Sequence, residues 1–149
     1  MWIGGARAIV LDEKNRILLV KHNHDGKEIW MPPGGGIEDG ESASEAAARE
    51  VMEETGLDVD VKRLLWHVEE VSDRGQRFVN FFLCEMVSGD LVLGEDPEFG
   101  KDEQILKDVR FMTCDEVKTL ENVYPDYIRD EVWDILDKQN SDYDAFKMR

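Results

Sequence analysis

Residues 30–57 read WMPPGGGIEDGESASEAAAREVMEETGL, and this stretch decides the fold class. From Ser42 to Thr55 the strong helix formers Ala, Glu and Arg dominate, and Gly56 is placed to end a helix. In front of it, Pro32-Pro33-Gly34-Gly35-Gly36 is incompatible with regular helix or a central strand. This loop feeds the chain into the helix through Ile37-Glu38-Asp39-Gly40-Glu41. Glycines there let backbone atoms approach a ligand closely.

The helix carries three acids whose spacing matters. At about 100° per residue, Glu53 falls at about 300° from Glu50 and Glu54 at about 40°, so the three share an arc of roughly 100°. Ala48, Val51, Met52 and Thr55 fall at about 100° to 200°, which predicts a separate, mainly apolar core face. A solvated acidic helix ordinarily interleaves Lys or Arg three or four residues away. Here the residues four after Glu50, Glu53 and Glu54 are Glu54, Leu57 and Asp58, and only Arg49, four before Glu53, is placed to pair. Crowded carboxylates repel one another unless a cation or a proton sits among them. Hard oxygen donors suit Mg²⁺, Mn²⁺ or Ca²⁺, so a divalent-cation site stands beside the plainer reading of a solvated charged face. A Gly-rich turn next to such acids favours the cation, because a metal bridges acids to phosphate oxygens that they repel alone.

Outward from this segment the texture is β. Ala6 to Leu11 and Arg16 to Val20 predict a hairpin around the polar turn Asp12-Glu13-Lys14-Asn15, and His22 to Lys27 reads as a loop. Leu57 to Val71 and Phe78 to Met86 are β-rich and joined by Ser72-Asp73-Arg74-Gly75-Gln76. Gly89 to Glu103 is a long acidic loop, Val109 to Met112 a short strand and Asp115 to Leu120 a short helix. A last helix is expected over about Pro125 to Lys138, with Ile128, Val132, Ile135 and Leu136 on one stripe. The sum is one α+β (α/β/α) domain over residues 1–149, a mixed sheet with helices on both faces.

Composition narrows the function. Eighteen Lys and Arg against thirty-four Asp and Glu give a formal net charge of −16 in 149 residues. Such a chain repels phosphate backbones, which disfavours a nucleic-acid polymer as partner. Cys84 and Cys114 lie far apart without ligand-spaced neighbours and are expected to be reduced thiols of a cytoplasmic protein. No apolar run approaches the roughly 20 residues of a membrane span, and the start lacks a signal-peptide profile. A P-loop over Gly94 to Lys101 fails on spacing and on Asp102, and an EF-hand loop around Asn23-His24-Asp25-Gly26 fails because Lys21 takes the first ligand position. Trp30, Trp66 and Phe78 are expected in the core rather than on a nucleobase, and His22 and His24 in a solvated loop. Arg74 and Arg77 are candidate phosphate contacts because positive charge is scarce.

At residues 35–57 the sequence resembles the Nudix hydrolases. Their box is Gly, five residues, Glu, seven residues, then Arg-Glu-apolar-any-Glu-Glu-any-Gly-apolar. Gly35, Glu41, Arg49, Glu50, Val51, Glu53, Glu54, Gly56 and Leu57 meet every fixed position. The lead-in Trp30 to Gly35 is similar as well, although Pro32 stands where a large apolar residue is more common. Val109-Arg110-Phe111 and Asp115-Glu116-Val117 look like the late strand and short helix of many members.

The resemblance implies the Nudix fold and hydrolysis of a diphosphate linked to another group, in a nucleotide-type small molecule, with Mg²⁺ or Mn²⁺. It implies that Glu50, Glu53 and Glu54 hold metal, that one of them also serves as base, and that Arg49 orients a neighbouring carboxylate. It adds the Gly34 carbonyl as a ligand, with Glu41 mainly bracing the loop beside Gly35 and Gly56. A further acid from a late loop is expected, Glu103 in preference to Glu98 because it lies closer to the strand near Phe111. A homodimer is carried over from the family. Neither the Pro of some ADP-ribose hydrolases nor the Tyr of some dinucleoside-polyphosphate hydrolases is found beyond the box, so substrate-binding residues stay unassigned. The competing reading is a Nudix domain that binds nucleotide as a sensor without turnover, although such domains often lose the box acids that are all here.

Overall fold

The computed structural model describes residues 4–73, 75–94, 106–138 and 146–148. Strands β1 (Gly5–Leu11) and β2 (Ile17–His24) form the expected hairpin, paired at Leu11↔Ile17 and then splayed apart. β3 (Lys27–Met31) pairs antiparallel with β2, so the segment read as a loop is a second hairpin. Its turn is tight because Asp25 and Gly26 take φ of 52° and 79°, and the Asn23 side chain accepts the Gly26 N–H at 3.0 Å. The glycine run also departs from expectation. Gly34–Gly36 form a short strand, β4, antiparallel to β1 in the register Arg7↔Gly34 and Gly5↔Gly36. Polar composition hid the first strand and glycine content the second, and in both cases pairing with a neighbour decides the conformation.

Helix α1 (Ala43–Thr55) begins at Ser42, whose hydroxyl accepts the Glu45 N–H while the Glu45 carboxylate accepts the Ser42 N–H. This capping box contributes about 1 kcal/mol. Gly56 ends the helix at φ 76°, with its N–H on the Met52 carbonyl. The last carbonyls are satisfied from outside, as Val92 N–H donates to Thr55 O and Gly94 N–H to Glu54 O. The long hairpin β5 (Asp58–Ser72) and β6 (Gly75–Ser88) follows, then β7 (Leu106–Met112), α2 (Cys114–Lys118), a 3₁₀ turn at Asp126–Ile128, α3 (Glu131–Lys138) and β8 (Phe146–Met148). The last helix is thus shorter than expected: Pro125 precedes the 3₁₀ turn, and α3 starts only at Glu131.

The sheet order is β3-β2-β1-β6-β5-β8, with β1–β6 and β5–β8 parallel, β4 beside β1 and β7 beside β2. Each face has its own core. Ala6, Ala8, Val10, Leu18 and Cys84 pack under Ala46, Ala47 and Val51 of α1. Ile9, Ile17, Leu19, Trp66 and Phe81 pack on the other face against Tyr127, Ile128, Val132 and Trp133. This is a mixed sheet between helices, the α+β arrangement expected. Trp30 and Trp66 lie in the core, but Phe78 is 40% exposed and stacks on His67 with ring centroids 5.3 Å apart. Among the described residues no helix is long and apolar enough to cross a membrane.

Candidate active site

Alpha-1 presents its carboxylates differently from the helical-wheel expectation. Glu50 is 4% and Glu54 0% exposed, whereas Met52, placed on the core arc, is 47% exposed. The buried arc runs through Ala46, Ala47, Glu50, Val51, Glu54 and Thr55, so two of the three acids face the sheet. The glycine strand is the reason. A Cβ on Gly35 would lie 2.5 Å from Glu50 Oε1, and the Gly34 N–H donates to Glu54 Oε2 at 3.0 Å. Glu50 thus occupies the room that a side chain on Gly35 would take, Glu54 is held by the Gly34 N–H, and only Glu53 keeps substantial exposure.

Arg49 binds the outer part of this group together. Its Nη1 donates to Glu50 Oε1 and Glu53 Oε2, both at 3.1 Å. Its Nη2 donates to Glu41 Oε1 at 2.7 Å and to the Gly36 carbonyl at 2.9 Å, and Nε donates to Glu41 Oε2 at 3.0 Å. Glu41 also accepts the Glu38 N–H at 2.8 Å, which closes the loop between β4 and α1. The Arg49 guanidinium beside Glu41 holds that carboxyl below the usual glutamate range, and the same contact raises the Arg49 pKa.

Two further residues complete the floor, His22, which the sequence reading placed in a solvated loop, and Arg7, which it did not single out. His22 is buried on β2 rather than solvated, its Nε2 stands 3.9 Å from Glu54 Oε1, and its ring stacks on His24 at 5.9 Å. Neither ring nitrogen has a hydrogen-bond partner among the described residues. Burial, reinforced by Arg7 and His24, pushes its pKa down to about 3, so the imidazole is neutral at physiological pH. Arg7 on β1 stands opposite Gly34 in register, donates Nη1 to Pro32 O at 2.7 Å and lies 5.6 Å from the Tyr124 ring centroid. Burial lowers its pKa, opposed first by the charge of Glu54. An arginine in an otherwise apolar strand was the available signal, since a charge in such a place needs a partner.

Of the remaining candidates, Arg77 carries a charge that acts on Arg7, as does Glu70. Arg77 is engaged with Glu70 on the β5–β6 hairpin. Arg74, Glu98 and Glu103 lie outside the described residues. Their flanks are described: Gly94 donates to the Glu54 carbonyl, and Leu106 pairs with His22. Among the described residues no three His, Cys, Asp or Glu side chains stand together in metal-ligand geometry. The donors nonetheless suit a hard divalent ion, being carboxylate oxygens packed on a strand without side chains.

Known proteins resemble this chain in sequence and in fold. The NUDIX domain matches residues 1–130. An ADP-ribose pyrophosphatase of Methanocaldococcus jannaschii is 37% identical over 90 residues, 58% of this chain and 53% of that protein. A putative 8-oxo-dGTP diphosphatase of Bacillus subtilis is 52% identical over 56 residues, 38% of this chain and 36% of that protein. These matches span about half the length of the curated relatives or less. Among solved structures, the MutT protein of Methanosarcina mazei superposes with a TM-score of 0.70 at 25% identity, covering 92% of this chain and 96% of that one. With nine box positions filled and the matching region covering most of its length, the chain belongs to the Nudix family.

Proposed function

We propose that this protein hydrolyses a diphosphate linkage in a nucleoside diphosphate derivative, by attack of water at phosphorus and with Mg²⁺ or Mn²⁺ as cofactor. The observation that carries the reading is the burial of Glu50 and Glu54 against the glycine strand while Arg49 fixes Glu50 and Glu53. Burying two carboxylates beside a third is costly without a cation to share. Glu50, Glu53, Glu54 and the Gly34 carbonyl would hold the metal, with Glu103 as the added acid from the late loop. Bound there, the ion supplies neutralisation of the phosphate oxygens and a more acidic water. The chain's own residues do the rest. Arg49 keeps the outer carboxylates oriented, Glu41 and the Gly36 carbonyl keep Arg49 in place, and one of the three glutamates takes the proton of the attacking water. The relatives' names, an ADP-ribose pyrophosphatase and a putative 8-oxo-dGTP diphosphatase, support a nucleotide-type substrate.

The test is a Mg²⁺-dependent turnover screen over ADP-ribose, nucleotide sugars, dinucleoside polyphosphates and ordinary and oxidised nucleoside triphosphates, with products identified chromatographically. Turnover of at least one substrate, lost in Glu53→Gln, is expected. Mg²⁺-dependent nucleotide binding without turnover on any of them would move the assignment to a sensor.

A further inference from the structure

We propose that Arg7 is a substrate-binding residue whose guanidinium takes oxygens of the substrate's phosphate groups on the side of the site away from Arg49. The protein carries a formal net charge of −16, and the walls of the site are glutamates, so an anionic substrate needs positive donors in addition to the metal. Arg49 is beside the acids, but its guanidinium is already engaged by Glu41, Glu50, Glu53 and the Gly36 carbonyl. Turning it to substrate would release the carboxylates it orients.

Arg7 differs on both counts. Of the five N–H donors on a guanidinium, one is used among the described residues, Nη1 on the Pro32 carbonyl. Its aliphatic stem lies across Gly34: a Cβ there would meet Arg7 Cγ at 2.4 Å and Arg7 Cα at 2.8 Å. The N–H of that same glycine donates to Glu54 Oε2, so one residue separates the Arg7 stem from the innermost carboxylate. Glu54 and Glu50 are among the charges that act on Arg7. Among the described residues neither forms an ion pair with it that would consume the fork, and the residue keeps partial exposure between β4 and β6. A planar fork with open donors, whose stem is one residue from a buried carboxylate, fits a phosphate oxyanion, because guanidinium and phosphate pair in a bidentate way.

The identity of the anion rests on the proposed hydrolase reading, whereas the role of Arg7 is tested by binding alone. Wild type, Arg7→Met and Arg7→Lys would be titrated calorimetrically with ADP-ribose, inorganic pyrophosphate and adenosine monophosphate in Mg²⁺, beside KM and kcat on the best substrate. Arg7→Met should weaken binding of at least one probe roughly 10- to 100-fold, the range of a lost charged hydrogen bond. Its KM should rise while kcat stays within about threefold, the signature of uniform binding. Arg7→Lys keeps charge and stem but loses the fork, so it should fall between. It also supplies the decisive arm if Arg7→Met fails to fold without its bond to Pro32. Unchanged affinity and KM in the folded variants, a loss confined to kcat, or no binding of any probe by wild type would overturn the assignment. Wild type that binds but does not turn over would overturn the hydrolase reading and leave the Arg7 comparison to be judged on affinity.

Discussion

Replacing Gly35 by Ala should disable the site at modest cost to the fold. The added methyl carbon would lie 2.5 Å from Glu50 Oε1, 2.8 Å from its Cδ and 3.2 Å from Oε2, whereas ordinary contact starts at 3.4 Å. The carboxylate must therefore retreat by about 0.9 Å, and it is the far end of a side chain, so it can. Retreat stretches the 3.1 Å bond from Arg49 Nη1 beyond hydrogen-bond range. Loss of a charge-assisted bond to a partly exposed arginine costs about 1–2 kcal/mol, which is roughly 2–8 °C in Tm for a chain of this size. The functional effect is larger, since a displacement near 1 Å in a positioned group costs on the order of 100-fold in rate. Gly34→Ala is the contrast. There the methyl meets the Ala6 carbonyl oxygen at 2.3 Å and Arg7 Cα at 2.8 Å, both backbone atoms of β1, so the protein should melt far lower or fail to fold. The assay is kcat on the best substrate together with a thermal melt for both variants. Gly35→Ala with kcat within threefold of wild type would refute the claim that Glu50 must occupy this space. Equal melting temperatures for the two variants would refute the packing argument.

Glu53→Gln should abolish most turnover and leave the metal-free Tm unchanged or slightly raised, because Glu53 is the most exposed of the three acids and a like charge is removed. Glu54→Gln should also lose turnover but alter stability measurably, since that side chain is fully buried and accepts the Gly34 N–H. Glu41→Gln should lower Tm at neutral pH. The depressed Glu41 pKa means that its pairing with Arg49 is in full effect above the pKa of an unfolded glutamate and is lost as pH falls through the folded value, so the Tm gap to wild type should close on acidification. Burial pushes the Cys84 thiol up to about 12, so at pH 8 a maleimide should label Cys114 in the native protein and reach Cys84 only on unfolding.

Much of this was legible in the sequence, and the failures have physical causes. The run of helix formers from Ser42 to Thr55, the stop at Gly56 and the hairpin of β1 and β2 around Asp12 to Asn15 are local signals, and the structure follows them. A helical wheel ranks residues by polarity, so it placed Glu50 and Glu54 towards water and Met52 inside. That order reverses because Gly35 leaves room for the Glu50 carboxylate beneath the helix and the Gly34 N–H holds Glu54. The strand character of Gly34–Gly36 was invisible for the same reason, being set by pairing with β1 and not by propensity. His22 looked like a loop residue among Asn, His, Asp and Gly, yet β3 and β7 flank it and turn it onto Glu54. Arg7 gave only one clue, a charge within an apolar strand. Its placement opposite Gly34 is a tertiary fact.

The central claim is that Glu50, Glu53 and Glu54 gather a divalent ion for anhydride hydrolysis. Steady-state turnover of ADP-ribose and the other nucleotide derivatives, measured across a Mg²⁺ titration with products separated by chromatography, tests it most directly. No products are expected in chelator, with saturable activation by Mg²⁺ and a loss of more than about 100-fold in kcat for Glu53→Gln and Glu54→Gln. Turnover that persists in chelator, or that survives both substitutions at the wild-type rate, would contradict it.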